Sequence, residues 1–423
     1  MGKKAHDWDL ATNASPEEVT GIFNNAPHKG RVFPSGIKHG TVTVLYRGRS
    51  IEVTTYRTEA GYTDGRRPDQ VSYASSIEED LSRRDFTMNA IALRLPAGIK
   101  VDPFGGEADI RAGVIRCVGD PSRRFTEDGL RPLRAVRFAA QLGMRLDQAT
   151  GDAIPGALEI SAKVSAERVR DEIEKIIASD NPSRAFVLMK QTGLLTLFLP
   201  ELAVCRGVEQ KGFHHFDVLD HSLLACDYAA RKQYDTDVRL AALLHDTGKV
   251  STRRIGEGGI WTFYQHETES EKITRAMLNR LRFPNSFIES VCHLVKEHMF
   301  HYTDEWTDAA VRRFIVRAGE ANLAKMYQLR RADAYATAAS EPAPDFLLPL
   351  AGRVEKILGE SRALSLKDLV VCGDDLIALG IKPGKRLGII LNELLETVLD
   401  DPAQNTREDL LKIPGKLNEK SIV

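Results

Sequence analysis

Two aspartates separated by one residue, Asp7 and Asp9, lie in the stretch HDWDLAT near the first residue of the chain. Residues i and i+2 of a β-strand point to the same face, so a strand here would present both carboxylates together. Paired carboxylates suit Mg²⁺, and two such ions can activate an attacking hydroxyl and stabilise a pyrophosphate leaving group. Glu52, in the strand-like run SIEVTTYR, is a candidate third carboxylate. Taken alone, such a pair is more often an ordinary surface feature.

A second polar group lies in the stretch EEDLSRRDFTMNAIAL, where Arg84, Asp85 and Asn89 precede an apolar run. Guanidinium groups form forked hydrogen bonds with phosphate oxygens, so this stretch is a candidate triphosphate site. The alternative interpretation is that Arg84 and Asp85 simply pair with neighbouring side chains.

A third group is the pair Asp128 and Arg131 in RRFTEDGLRPLRAVRFAAQLG. Thr126 is placed to cap a helix that has Asp128 in its first turn, and both members of the pair would then share one helix face. The carboxylate accepts and the guanidinium donates. Together they match the exocyclic amine and ring-nitrogen acceptor of C and A, whereas G and U present the reverse order. The alternative is an intrahelical ion pair that contributes ~0.2–0.5 kcal/mol.

Four histidines and two aspartates occur in the order H…HD…H…H…D in the second half of the chain. They are His221, His245, Asp246, His266, His298 and Asp333. A lone histidine on an apolar face is usually a core residue, but six ordered ligands indicate a metal site. Imidazole and carboxylate ligands suit a divalent transition metal or Mg²⁺, and a bound water could be activated toward phosphate esters. The order resembles that of the HD phosphohydrolase superfamily.

The composition is that of a globular protein with several modules. The chain has 423 residues, 43% of them hydrophobic, and 58 basic residues nearly balance 59 acidic ones. A local excess of arginine between residues 123 and 145 could neutralise phosphates, although a solvated helix face is the usual reason for such runs. The five cysteines form no CxxC pair, and no apolar run reaches membrane-spanning length. We therefore expect a cytoplasmic protein without a membrane partner.

The secondary-structure signals predict an α/β region followed by helices. Residues 40–57 predict two β-strands around a turn at Gly48, and the pattern becomes helical after Cys117. Ser165 is placed to cap an amphipathic helix, and a further helix is expected between Pro182 and Gly193. The proline-rich residues 339–352 predict a linker before a basic loop and a last amphipathic region.

The ordered motifs HDWDLATNASPEEV, PSGIKHGTVTV, DLSRRDFTMNAIAL, DPFGG and RRFTEDGLRPLRAVRFAAQLG resemble those of the bacterial class II CCA-adding tRNA nucleotidyltransferases. These belong to the poly(A) polymerase/tRNA nucleotidyltransferase family. The resemblance implies an α+β fold, in which a small polymerase-β-like nucleotidyltransferase head precedes an all-α remainder. The implied domains are a head at residues 1–116, a helical neck at 117–200, an HD metal-binding body at 201–340 and a tRNA-binding tail at 341–423.

The same resemblance implies roles for individual residues. Asp7 and Asp9 would be the catalytic pair that binds Mg²⁺, and Asp128 and Arg131 would read the base of CTP or ATP. Further nucleotide-binding residues would be Arg84, Asp85, Asn89, Arg134 and Arg137. Residues 56–68 are similar to the flexible loop used in switching from C to A addition, which favours complete CCA addition to tRNA. The HD body of related enzymes can hydrolyse 2′,3′-cyclic phosphates and 2′-nucleotides.

The start of the chain departs from the family pattern. Family members precede the D-x-D strand with a strand, a Gly-Gly loop and a helix, whereas this chain begins MGKKAHDWD. We therefore expect Met1 to be an internal methionine of a longer protein. Three alternatives stay open beside CCA addition: a poly(A) polymerase, an HD phosphohydrolase with an inactive RNA-binding head, and a catalytically poor RNA-binding remnant. The basic run KPGKR at residues 382–386 is a candidate contact for the tRNA backbone, or else the solvated end of an ordinary core helix.

Overall fold

The computed structural model describes residues 9–25, 30–37, 40–60, 70–210, 216–360 and 364–420. The chain divides into two compact units. Unit 1 comprises Met1–Val204 and Met277–Phe283, and unit 2 comprises Cys205–Ala276 and Pro284–Val423. The four predicted domains are not distinguished by this division and stay predictions.

Unit 1 holds most of the described strands. They are β1 Asp9–Thr12, β2 Arg31–Gly36, β3 Thr41–Tyr46, β4 Arg49–Thr55, β5 Arg57–Ala60, β6 Gln70–Tyr73, β7 Ala92–Arg94, β8 Ile99–Val101, β9 Val114–Ile115 and β10 Arg145–Leu146. A four-stranded sheet has the order β1-β4-β3-β2, in which β1 is parallel to β4 and the other pairs are antiparallel. Its core consists of Val19, Val42, Val44 and Val53.

Among the helices of unit 1, α1 packs on this sheet, and the others follow the sheet in sequence. They are α1 Pro16–Asn24, α2 Ile77–Ser82, α3 Gly106–Ala112, α4 Pro121–Glu127, α5 Arg131–Leu142, α6 Gln148–Ala153, α7 Leu158–Ser161, α8 Ala166–Ile177, α9 Pro182–Thr192, α10 Leu194–Phe198 and α11 Pro200–Ala203. From α4 onward only the two-residue strand β10 interrupts the helices, as the helical pattern after Cys117 predicts.

In its described residues, unit 2 has a single short hairpin, β11 Arg254–Ile255 with β12 Trp261–Thr262, and its other regular elements are helices. Its helices are α12 Val218–Arg231, α13 Thr236–Leu244, α14 Lys249–Thr252, α15 His266–Arg280, α16 Asn285–Glu297, α17 Asp308–Ala318, α18 Leu323–Ala338, α19 Leu348–Gly359, α20 Gly373–Ala378, α21 Lys385–Asp400 and α22 Arg407–Lys420. The last turn of α15 enters the segment Met277–Phe283 of unit 1.

The local signals explain several of these elements. The turn between β3 and β4 has positive φ at Arg47 (48°) and Gly48 (77°), the conformation of a tight hairpin whose twist matches its strands. Helix α8 begins after Ser165, although that side chain makes no capping hydrogen bond, and it buries Val169 and Ile173 as its pattern predicts. Helix α9 ends at Gly193, which has φ of 85°. The predicted hairpin and the two predicted helices are confirmed, but the capping hydrogen bond expected from Ser165 is not formed.

Two sequence-based boundaries are wrong. Thr126 does not cap a helix, because it lies inside α4, whose N-cap is Asp120 with a hydrogen bond from the Arg123 N–H. Asp128 is therefore the C-cap residue between α4 and α5, not a first-turn residue. The predicted linker is also shorter than expected, because Pro349 lies in the first turn of α19, where proline is tolerated.

Four of the five cysteines, residues 117, 205, 226 and 292, are buried free thiols, and Cys372 is an exposed one. Burial is the main cause that raises the pKa of Cys117, Cys205 and Cys292 to about 12, so these thiols stay protonated at neutral pH. Among the described residues, no helix combines the length and the hydropathy needed to cross a bilayer.

Candidate functional sites: a base-reading pair and a metal cluster

The edge of the unit 1 sheet places two carboxylates side by side. Asp9 begins β1 and pairs in register with Glu52 of the parallel strand β4. Both residues are exposed. Laterally paired residues of neighbouring strands share a sheet face, so the register supports Glu52 as a partner of Asp9. Asp7 lies outside the described residues.

The stretch after α2 builds a polar network around buried carboxylates. Asp80 is 1% exposed, and its Oδ1 accepts from Arg83 Nε at 3.0 Å and Nη2 at 2.9 Å. Arg84 Nη2 lies 3.5 Å from the other Asp80 oxygen, and Arg84 keeps a third of its side chain exposed. The ion pairs with neighbours that were the alternative interpretation therefore exist, and they leave part of the Arg84 side chain exposed.

Asp85 links this stretch to the helices that follow. Its Oδ1 accepts from the Phe86 N–H at 2.9 Å and from Asn89 Nδ2 at 3.0 Å, and its Oδ2 accepts from Arg134 Nε at 2.8 Å. Burial by itself would raise the pKa of Asp85, but Arg134 and these hydrogen bonds lower it below its ordinary value. Three predicted nucleotide-binding residues thus form one hydrogen-bonded network, in which Asn89 and Arg134 both donate to the ionised carboxylate of Asp85.

Asp128 and Arg131 meet at a break between two helices. The chain leaves α4 at Asp128, which has extended dihedral angles, and re-enters a helix at Arg131. The Asp128 carbonyl accepts from the Arg131 N–H at 3.0 Å, and Asp128 Oδ1 accepts from the Leu130 N–H at 3.0 Å. The side chains of the pair do not hydrogen-bond each other. The intrahelical ion pair considered above is therefore excluded by the helix break.

Arg131 is buried and its guanidinium is held from three directions. Nη1 donates to Glu127 and to the Arg124 carbonyl at 2.8 Å, and Nη2 donates to the Arg83 carbonyl at 3.1 Å. Only 9% of Arg131 is exposed. A side chain held this firmly presents its remaining N–H groups in one orientation, which suits recognition of a flat base edge.

Gly129 lets this loop approach α7. A Cβ atom at Gly129 would lie 2.5 Å from the Ile160 carbonyl oxygen and 3.0 Å from the Ser161 Cα. No larger residue fits without movement of the backbone. The D-G step between the two candidate base-reading residues is therefore dictated by packing.

Arg137 is placed differently from the other predicted nucleotide-binding residues. It is 5% exposed, forms an ion pair with the buried Glu172 of α8, and donates to Gln141 at 2.6 Å. Its guanidinium also lies 3.7 Å from the ring centroid of Phe138. These contacts indicate a structural role, and its contact with a nucleotide stays a prediction.

The six predicted metal ligands converge in unit 2. Nε2 of His221 lies 3.2 Å from Nε2 of His245, and both nitrogens lie 3.4 Å from Asp246 Oδ2. Asp333 Oδ1 is 3.3 Å from the His221 nitrogen. The remaining two imidazoles face the other oxygen of Asp246, with His266 Nε2 at 3.2 Å and His298 Nε2 at 3.9 Å from Oδ1. Side-chain atoms this close could coordinate one metal ion or two neighbouring ones.

Each ligand of this cluster is placed by a packed helix. His221 is on α12 and Asp333 on α18, while His245 and His298 directly follow α13 and α16. Three imidazoles direct Nδ1 at the carbonyl three residues earlier: His245 at Ala242 (2.9 Å), His266 at Phe263 (2.9 Å) and His298 at Val295. Such bonds fix the ring and leave Nε2 free for a metal, as in established metal sites.

The protonation states suit a cation. Burial would raise the pKa of Asp246 and Asp333, but the surrounding imidazoles, with Lys249 for Asp246, hold both pKa values well below the ordinary range. Burial and then His245 lower the pKa of His298 to about 3, so it is neutral at physiological pH. His266 Nε2 is buried without a hydrogen bond of acceptable geometry. Opposing the effect of burial, Asp246 and Asp333 raise the pKa of His245 above its ordinary value. The ionised oxygens of Asp246 and Asp333 and the neutral imidazole of His298 form a donor set that fits a divalent metal.

Sequence reasoning missed the residues that orient these groups. Glu127 holds Arg131, and Arg168 of α8 donates from Nη2 to Asp128 Oδ2 at 2.7 Å. In the metal cluster, Lys249 Nζ lies 2.7 Å from Asp246 Oδ2, and Arg330 forms an ion pair with Asp333. The run HDTGK placed Lys249 one helical turn after Asp246 and could have suggested it. No local signal pointed to Arg168, which is 40 residues from its partner.

Three family models match successive parts of the chain. Residues 1–116 match "Poly A polymerase head domain", residues 143–205 match "Probable RNA and SrmB- binding site of polymerase A", and residues 257–413 match "tRNA nucleotidyltransferase domain 2 putative". The order agrees with the predicted head followed by helical RNA-binding parts.

Relatives match over different lengths. The CCA-adding enzyme of Lactobacillus helveticus is 46% identical over 194 residues, which span 46% of this chain and less than half (47%) of that protein. The CCA-adding enzyme of Pediococcus pentosaceus is 31% identical over 432 residues, covering 99% of this chain and 91% of that protein. That of Latilactobacillus sakei is 34% identical, with 97% and 90% covered.

Solved structures confirm the α+β fold class. The crystal structure of the Bacillus stearothermophilus CCA-adding enzyme in complex with CTP has a TM-score of 0.71 at 29% identity, covering 99% of this chain and 91% of that one. The Thermotoga maritima CCA-adding enzyme complexed with tRNA shares the fold with a TM-score of 0.53 at 21% identity. Enzymes of this family typically use a divalent metal. Because its first 116 residues match the head-domain model, and relatives 31% and 34% identical are covered to 91% and 90% of their length, the chain belongs to the family of class II CCA-adding enzymes.

Proposed function

We propose that the chain builds or repairs the 3′-terminal CCA of tRNA from CTP and ATP without a nucleic-acid template. The observation that carries this proposal is the helix break that holds Asp128, an acceptor, beside Arg131, a donor. C and A both offer an amine next to a ring nitrogen, whereas U and G would leave both side chains without partners. A site built to hydrogen-bond one edge can reject the opposite edge strongly.

The chemistry is assigned to the sheet edge. Asp7 and Asp9 hold Mg²⁺, with Glu52 as the neighbouring carboxylate. Magnesium there would lower the barrier by stabilising charge on the phosphates. Arg84 and the network of Asp85, Asn89 and Arg134 lie beside the nucleotide. Lys382 before α21 and Lys385 and Arg386 in its first turn are exposed basic residues, and they contact the tRNA backbone through its phosphates.

The test is incorporation of labelled nucleotides into tRNA that lacks its 3′ end. We expect CTP to be added first and ATP once after it, with little use of UTP or GTP. A poly(A) polymerase would ignore CTP and extend with ATP alone. Addition of CTP without a following ATP would identify a CC-adding enzyme instead. Failure to use any nucleotide, with intact phosphohydrolase activity, would favour a hydrolase with an inactive RNA-binding head.

We propose a second activity, a metal-dependent phosphohydrolase, for the cluster of His221, His245, Asp246, His266, His298 and Asp333. The convergence of these six side chains, each with a polar atom 3.2–3.9 Å from that of another member, supports it. A divalent transition metal or Mg²⁺ bound there would supply an activated water. Asp246 contacts both groups of imidazoles through its two oxygens, so it is the residue on which binding depends most. The substrates are 2′,3′-cyclic phosphates and 2′-nucleotides at RNA ends.

Metal analysis of the purified protein tests this second proposal directly. We expect bound divalent metal in stoichiometric amount, together with hydrolysis of 2′,3′-cyclic AMP that chelation removes and added metal restores. A metal-free protein that takes up no Mn²⁺, Ni²⁺, Co²⁺ or Mg²⁺ would contradict the proposal.

A further inference from the structure

One side chain from a distant helix holds the Asp128 carboxylate. Arg168, in the first turn of α8, donates from Nη2 to Asp128 Oδ2 at 2.7 Å. The two side chains are only 23% and 19% exposed. Charge-assisted hydrogen bonds of this length are about twice as strong as neutral ones, and partial burial reduces their screening by solvent. The contact is therefore strong enough to set the orientation of Asp128.

The remaining contacts of Asp128 leave room for a ligand. Its Oδ1 accepts from the Leu130 N–H, and its Oδ2 accepts from Arg168. Two carboxylate oxygens offer about four lone-pair sites, so acceptor capacity is left on both atoms. With one oxygen held by its own loop and the other by Arg168, rotation about the side-chain bonds of Asp128 is blocked.

The guanidinium of Arg168 has no competing acceptor in the described part of the chain. Its Nη1 is buried and makes no hydrogen bond there. Arg170, two residues further along α8, contrasts with it: Arg170 pairs with its neighbour Asp171 and donates to the Arg282 carbonyl at 2.7 Å. The two arginines of α8 therefore bind different partners, and of the two it is Arg168 that contacts the base-reading loop.

We propose that Arg168 is a positioning residue for nucleotide selection. It keeps the Asp128 carboxylate turned to accept the exocyclic amine of C or A, while Glu127 keeps Arg131 turned to donate to the ring nitrogen. This inference rests on the proposed CCA addition and adds a residue to its selection step. A preorganised acceptor needs no reorientation when the nucleotide binds, so it adds no conformational free-energy cost to binding. Loss of Arg168 therefore lowers the affinity for CTP and ATP.

Titration calorimetry with CTP and UTP tests the proposal on the full chain. For Arg168→Ala we expect the affinity for CTP to fall by about tenfold, the typical effect of one charge-assisted hydrogen bond, with UTP binding changed much less. Arg168→Gln serves as a second variant that keeps a long polar side chain, and it should show the same loss of preference. Arg170→Ala removes the same charge from the same helix and should keep the wild-type preference for CTP over UTP.

A double-mutant cycle with Asp128→Ala separates positioning from direct contact. If Arg168 acts through Asp128, then Arg168→Ala has no further effect on CTP affinity in the Asp128→Ala background. An equal loss in both backgrounds overturns the proposal, and so does an equal weakening of CTP and UTP by Arg168→Ala, which indicates a triphosphate contact. A wild-type protein with no preference for CTP over UTP contradicts the proposed function itself. Retained preference in Arg168→Ala contradicts only the role of Arg168.

Discussion

The candidate base-reading loop of unit 1 and the candidate metal cluster of unit 2 differ in how their side chains are held in place. In the loop, Asp128 and Arg131 do not contact each other through their side chains, and each is held by a residue from elsewhere. In the cluster, the side chains contact one another directly, and the backbone carbonyls three residues earlier orient three of the imidazoles. The orientation of the loop side chains depends on residues distant in sequence, whereas the side chains of the cluster are oriented largely by one another and by the nearby backbone.

The difference agrees with what each site is proposed to bind. A base edge is recognised by two or three hydrogen bonds at defined angles, so donor and acceptor must be kept apart and held from behind. A cation is recognised by several ligands at similar short distances, so the ligands must converge. Changes at the loop should therefore alter selectivity, and changes at the cluster should alter metal content. The following predictions test whether the two sites are independent.

The largest effect is expected from Asp9→Ala. Removal of a catalytic metal ligand should lower CTP incorporation into tRNA by about a thousandfold, because metal ions stabilise the transferred phosphate by several kcal/mol. Hydrolysis of 2′,3′-cyclic AMP should be unchanged. The control is Glu17→Ala, which removes an exposed carboxylate from the first turn of α1. Normal CTP incorporation by Asp9→Ala would show that β1 is not the catalytic strand.

Asp246→Asn provides the reciprocal change. It removes the carboxylate that contacts both imidazole groups, so bound metal and cyclic-phosphate hydrolysis should each fall by at least about 100-fold, while CTP incorporation is retained. Mass spectrometry of bound metals measures the first effect. Asp220→Asn, which changes an exposed carboxylate on α12 next to His221, is the matched control. Loss of CTP incorporation in Asp246→Asn would mean that the sites are coupled.

Asp85→Asn should weaken unit 1 with a defined pH dependence. Loss of the partly buried ion pair with Arg134 should lower the free energy of unfolding by about 2 kcal/mol at pH 7. The pKa of Asp85 is lowered in the folded protein, so its stabilising contribution is complete above about pH 5 and is lost as the pH falls further. The melting temperatures of variant and wild type should therefore converge on acidification. A difference that stays constant from pH 7 down to about pH 2, well below the ordinary pKa of an aspartate, would contradict the ion-pair explanation.

The smallest stability effect is expected from Gly129→Ala. The new Cβ would lie 2.5 Å from the Ile160 carbonyl, so the loop must shift, at a cost of about 1 kcal/mol. Because the shift moves Asp128, preference for CTP over UTP should fall more than stability does. Gly151→Ala is the control, since nothing lies within 4 Å of its Cβ position in α6. Unchanged selectivity in Gly129→Ala would indicate that the loop tolerates movement.

Local patterns predicted a substantial part of this protein. The hairpin of β3 and β4 and helices α8 and α9 follow from periodicity, turn residues and residue type over short stretches. These features depend on neighbours in sequence. The prediction of a helix start at Thr126 was wrong. It was based on a residue type that can cap a helix and on the acidic residues that follow, but Thr126 lies inside α4.

Tertiary structure decided which side chains act together. The chain has many arginines, and nothing near Arg168 or Arg137 distinguishes one that holds Asp128 from one that pairs with the buried Glu172. The packing of α8 determines both partnerships. Likewise, the contacts of Asp246 with four imidazoles require separate helices to meet. Residue types and local order set what chemistry is available, whereas partners distant in sequence exist only once the helices pack, because side-chain contacts depend on distances in space.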